Sequence, residues 1–117
     1  MIEIRRGTTK EIVIALAYET GSEYKIEDTD TLIFGVKTSV NQKEYIFSRT
    51  VDKTAYSAQN GGYLIQIQPE DTANMLFGDF VYDVGLQKQN GEFHIVCPCD
   101  LFKVSAAVTK RVPYAED

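Results

Sequence analysis

An all-β fold, a two-sheet β-sandwich of about seven or eight short strands, is what this sequence predicts, and three observations predict it. Apolar residues alternate with polar or small ones at period two in segment after segment. Turn signals bound these segments at intervals of roughly ten residues, the spacing of sandwiches and barrels. Strands nowhere alternate with long helical patterns, which argues against a parallel βαβ sheet. The 117 residues fit one domain, large enough to bury roughly two-thirds of its unfolded surface around one core. The expected sandwich covers residues 1–104, and residues 105–117 follow as a C-terminal tail or docking arm.

The elements follow in order along the chain. Ile2 and Ile4 open a short strand. Ile12, Ile14, Leu16 and Tyr18 alternate with Val13, Ala15 and Ala17. This second strand is apolar on both faces and is therefore expected near the middle of a packed sheet. Thr20-Gly21-Ser22-Glu23 reads as the turn after it. Beyond the polar run Glu27-Asp28-Thr29-Asp30, the residues Leu32, Phe34 and Val36 mark a third strand. Asn41-Gln42 predicts a tight hairpin, with Tyr45, Phe47 and Arg49 on the returning strand. Asp52 to Gly62 is polar and closes on Asn60-Gly61-Gly62, a loop signal. Tyr63, Ile65 and Ile67 form the next strand, which Pro69 stops.

One segment, residues 69–76, reads as a helical turn of two turns at most. Proline suits the first helical position, and Glu70 and Asp71 suit the positive end of the helix dipole. Gly78 ends it. Phe80, Tyr82, Val84 and Leu86 then alternate in a long strand, with Tyr82 and Val84 expected inside and Asp83 either facing out or paired with a cross-strand base. Asn90-Gly91 is the clearest hairpin turn, and Phe93, Ile95 and Cys97 run back from it. Pro98 lacks a ladder donor and predicts a bulge or an edge, after which Leu101, Phe102 and Val104 resume the strand. From Ser105 onward, ending in Val112-Pro113-Tyr114-Ala115-Glu116-Asp117, the text is that of a tail.

Hydrophobic residues make up 44% and charged residues 25%, an ordinary globular composition. The net charge is -5 and the basic residues are scattered, so nucleic-acid binding, which needs clustered Lys and Arg to release counterions, is disfavoured. No apolar run reaches the roughly 20 residues that span a bilayer, and the first residues lack the pattern of a signal peptide. His94, the only histidine, falls on the face opposite Phe93 and Ile95 and is expected at solvent or a rim. Cys97 and Cys99 point the same way in an extended strand, about 6.5–7 Å apart, which is poor for a disulfide. Their one-residue gap does not fit a zinc pair, so both read as small hydrophobes. Glu27-Asp28-Thr29-Asp30 lacks the glycine and terminal glutamate of a calcium loop and reads as a solvated loop. Glu70 and Asp71 read as helix-start charges rather than an acid-base pair. The aromatics Tyr45, Phe47, Tyr63, Phe80, Tyr82 and Phe93 are of the type that forms a stacking platform, but most alternate with apolar periodicity and are expected to fill the core. No catalytic, cofactor-binding or metal-binding residues are assigned, no cofactor is expected, and the chain is expected not to be an enzyme.

Three short motifs carry a resemblance. Arg6-Gly7-Thr8-Thr9 precedes an alternating strand, Pro69-Glu70-Asp71-Thr72 follows later, and Gly78-Asp79-Phe80-Val81-Tyr82-Asp83-Val84 follows that. Together they resemble the N-terminal, immunoglobulin-like domain of upper baseplate proteins of phages and prophages of Gram-positive hosts. Thr8 stands where that family's early turn has an aspartate, and Phe80 stands for the first tyrosine of its late strand. The resemblance covers roughly residues 4 to 104. It implies an Ig-like sandwich and a non-enzymatic structural protein of the tail or baseplate, working through protein-protein contacts. It further implies other virion proteins as partners, a homo-oligomer in the particle, and a virion location after synthesis in the bacterial cytoplasm. Neither nucleic acid nor membrane is an expected partner. The alternative reading is a carbohydrate- or surface-binding β-sandwich, against which the lack of tryptophan counts.

Overall fold

The computed structural model describes residues 1–107. Its strands are β1 (Ile2–Arg5), β2 (Lys10–Ile14), β3 (Thr31–Lys37), β4 (Phe47–Val51), β5 (Tyr56–Ser57), β6 (Gly62–Ile67), β7 (Gly78–Gln87) and β8 (Phe93–Ser105). One helical turn, α1 (Pro69–Thr72), joins β6 to β7. The strands make two sheets, β1-β8-β7-β3-β4 and β2-β6-β5. Every ladder is antiparallel except β1 on β8. This is the strand order of an Ig-like sandwich, with β2, β6 and β5 in the places of B, E and D, and β8, β7, β3 and β4 in those of G, F, C and C′.

The core is what the alternation predicts. Leu32, Phe34 and Val36 of β3, Val84 and Leu86 of β7, and Phe102 and Val104 of β8 are buried on one side. Ile12, Ile14, Tyr63, Ile65 and Ile67 are buried on the other, and Ile4, Leu16, Ile26 and Met75 complete the cluster. Each large apolar side chain so buried contributes about 1.5–3 kcal/mol. In antibody domains a tryptophan and an inter-sheet disulfide fill the middle. Here both cysteines are free and lie on β8, and an aromatic cluster stands there instead. Phe34 packs with ring centroids 5.5 Å from Tyr82, 6.1 Å from Phe47 and 6.3 Å from Phe102. Tyr63 is buried with its hydroxyl satisfied, accepting the Ile26 N–H at 2.8 Å.

Several expectations are corrected. The second strand is an edge, not a sheet centre: among the described residues β2 pairs only with β6 and stops at Ile14, and Val13 on its outer face is exposed. Val13, and Ala15 and Ala17 beyond the strand, are small enough to leave in water, and period two cannot tell that from burial. Asn41-Gln42 does not make a tight hairpin. The link between β3 and β4 spans residues 38–46, and Gln42 only closes a local turn through its N–H to the Ser39 carbonyl at 3.1 Å. Tyr45 thereby lies in the loop, not on β4. The polar stretch 52–62 holds the two-residue strand β5, paired to Tyr63 and Gly62. The helical segment is a single turn, within the two-turn limit expected.

The hairpin at Asn90-Gly91 stands where expected, with Gly91 at φ 94 and Lys88 and Glu92 bonded across it. Two register shifts then displace β8 against β7, between Tyr82 and Val84 and between Val84 and Gly85. The first is the bulge that Pro98 predicts. The second inserts Val96 between Cys97, opposite Val84, and Ile95, opposite Gly85. One inserted residue reverses which face the following side chains take. Phe93 and Ile95 therefore stand on the outer face rather than the core face, and both are about half exposed. The first shift, at Pro98, separates the cysteines: Cys97 packs against the core while Cys99 lines the outer face. The expected tail begins within β8, which runs through Ser105, and residues 108–117 lie outside the described residues.

Candidate interaction surface

The motif residues come together first. Gly7 sits at φ 77, a left-handed conformation that glycine adopts freely, and its N–H donates to Thr72 Oγ1 at 2.8 Å. Thr8 closes the turn by donating its hydroxyl to the Arg5 carbonyl at 2.6 Å. Arg6 reaches over α1, donating to the Met75 carbonyl at 3.2 Å with its guanidinium 4.3 Å from the centre of the Phe77 ring. Asp71 accepts the Gln68 N–H at 2.8 Å, which caps the turn, and forms a two-oxygen ion pair with Arg49 of β4. Arg6-Gly7-Thr8-Thr9 and Pro69-Glu70-Asp71-Thr72, distant in sequence, are thus one joint at the end of the sandwich. Met75 plugs that end, while Leu76 and Phe77 remain exposed.

The other candidate residues are dispersed. His94 is exposed and contacts Glu92 at 3.2 Å, which together with Asn90 holds the Glu92 carboxyl below its ordinary range. The acidic run 27–30 is not uniformly solvated. Asp30 is buried and accepts the Glu27 N–H at 3.1 Å and Lys88 Nζ at 3.3 Å, whereas Asp28 pairs with Lys53 at the surface. Lys88 also donates to the Tyr24 hydroxyl at 2.9 Å, and that bond leads in raising its pKa. Burial pushes the Cys97 thiol up.

Two surfaces emerge that alternation did not show. On the outer face of the five-stranded sheet, the Tyr45 and Phe93 rings stand over glycines. A Cβ on Gly35 would stand 2.2 Å from the Tyr45 ring, and one on Gly85 would stand 2.5 Å from the Phe93 ring. With Val81, Ile95, Lys37 and Asp83 they bound a groove of about 220 Å³. Of the six aromatics expected in the core, Tyr63 is buried and Phe47, Phe80 and Tyr82 are partly buried against it, but Tyr45 and Phe93 are 51% and 54% exposed. The glycines facing them on neighbouring strands were the available signal.

The second surface is a cleft of about 530 Å³ where the three-stranded sheet stops short of the β7–β8 hairpin. Leu16, Leu86 and Val96 floor it, and Tyr18, Tyr24, Lys88, Glu92 and His94 line it. Tyr18 and Tyr24 meet edge to face with centroids 5.1 Å apart.

No family model, curated protein or solved structure matches the chain. The fold and these surfaces therefore carry the functional argument.

Proposed function

We propose that this chain is a non-enzymatic assembly module of a phage or prophage tail or baseplate, built into the particle through protein-protein contacts. The observation that carries the reading is the joint between the two motifs of the resemblance: the Gly7 N–H held by Thr72 at 2.8 Å within an Ig-like strand order. Segments that resemble the family only as short strings of letters have interlocking roles here. Partners are other virion proteins, and the exposed apolar side chains at the Leu76-Phe77 end and on the Tyr45–Phe93 face provide surface for them. The test is induction of the lysogen that encodes the chain, followed by particle purification and immunogold labelling with an antibody to the recombinant chain. Labelling confined to the tail or its tip is expected. Intact tailed particles that lack the chain, formed normally when its gene is deleted, would end the proposal.

A carbohydrate-binding reading is favoured by one observation, the cleft in which the exposed Tyr18 stands beside an apolar floor and the polar groups of Lys88, Glu92 and His94. A ring face plus a few convergent polar groups is a form that ligand sites take. A glycan array decides it: a reproducible hit lost in Tyr18→Ala supports it, and a blank array removes it.

A further inference from the structure

Among the described residues the first strand closes its sheet with an open edge, and its sequence is complementary to itself. Among the described residues only β8 pairs with β1. Arg6 N–H donates to the Ser105 carbonyl at 2.9 Å. Backbone groups alternate in direction along a strand, so Ile2 and Ile4 address β8 as Arg6 does, while Glu3 and Arg5 turn their N–H and C=O groups to the open edge. An unpaired edge is a template for another strand.

We propose that β1 is the interface of a homodimer, in which two copies join their five-stranded sheets edge to edge and antiparallel about Ile4. In that register Ile4 faces Ile4 of the second copy, and Glu3 faces Arg5 in both directions. The outward-turned residues are then opposite each other, as a hydrogen-bonded antiparallel pair requires. Their side chains are exposed and share a face of the sheet, so each cross-strand pair joins opposite charges. The Arg5 carbonyl already accepts the Thr8 N–H at 3.2 Å and the Thr8 hydroxyl at 2.6 Å. The two bonds left free run from each Arg5 N–H to the Glu3 carbonyl of the other copy. The contact is isologous and closes on itself, giving a dimer and not a filament. Other edges fit themselves less well. Antiparallel pairing of β4 about its centre sets Arg49 against Arg49, and pairing of β2 about Ile12 sets Lys10 against Ile14 and Glu11 against Val13.

The test is sedimentation equilibrium of the full chain and three variants, with circular dichroism to confirm that each is folded. Glu3→Arg and Arg5→Glu each place like charges opposite each other twice per dimer. Each is expected to weaken association by about tenfold or more, and the double variant, which restores opposite charges, to recover it. Added salt weakens the wild-type dimer. A chain that remains monomeric at about 1 mM, or a dimer that neither single variant weakens, overturns the proposal. The inference stands on the edge alone: a monomer in solution would leave the virion reading untouched, and particles lacking the chain would leave the dimer untouched.

Discussion

Thr72 is fully buried, and its hydroxyl oxygen is the partner of the Gly7 N–H. Thr72→Val keeps the shape and removes that acceptor. A buried donor left unpaired costs about 1–3 kcal/mol, and urea denaturation should read a loss in that range. A loss below a few tenths would mean that the joint is not a stabilising contact. Gly85 shows the opposite logic, since space rather than hydrogen bonding fixes it. Gly85→Ala should cost about 1 kcal/mol in the wild type, where Phe93 must lift, and be neutral or stabilising in a Phe93→Ala background. The same cost in both backgrounds would rule out the ring as its cause. The cysteines separate by burial: Cys99 is exposed, and Cys97 is partly buried with its thiol pushed up. Alkylation followed by mass spectrometry should find Cys99 modified first, because the thiolate is the reacting form.

Among the elements, α1 shows how little helix the fold needs. One turn survives because Pro69 sets its first position, Asp71 caps it, and Arg49 from a neighbouring strand pairs with that same carboxylate. Asp71 is nearly buried and Arg49 is about one-third exposed. Asp71→Ala removes the cap and strands the guanidinium, and should cost about 2–4 kcal/mol by urea denaturation. If Arg49→Ala alone matches that loss, the pair outweighs the cap. The strand β8 carries the main lesson about pattern. Its alternation reads cleanly from Phe93 to Cys97, but one inserted residue at Val96 reverses the faces. Nothing in the letters marks Val96 as a bulge, whereas Pro98 marked the next irregularity because it lacks an N–H. Tyr82 kept its inward face and packs on Phe34 and Phe102 but is only partly buried. Tyr82→Ala should therefore cost about 2–4 kcal/mol, at or below the usual range for a fully buried aromatic.

For the whole molecule, stability should fall in acid. The Met1 ammonium at 2.8 Å holds the Asp100 carboxyl below its usual range. The Thr54 hydroxyl does the same for Asp52, and His94 for Glu92. These groups take up protons in the unfolded chain before they do in the folded one, so the stabilisation is present above about pH 4 and is lost as pH falls through the folded values. Thermal unfolding followed from about pH 6 to 3 should show a declining Tm below about pH 4.5, with a shallower decline in Asp100→Asn. An identical decline in that variant would remove Asp100 from the account. All three carboxyls are exposed, so the effect of each is modest.

The sequence by itself determined the fold class, the strands around Leu32–Val36, Tyr63–Ile67 and Phe80–Leu86, the Asn90-Gly91 hairpin and the bulge at Pro98. These are local properties: side-chain period, turn chemistry and a missing donor act within a few residues. Only the tertiary structure decided that β2 is an edge, that Tyr45 and Phe93 lie outside over Gly35 and Gly85, that Asp30 is buried beside Lys88, and that Gly7 meets Thr72. Each of these depends on which strands become neighbours, and one inserted residue or one strand's place in a sheet changes the face without changing the letters.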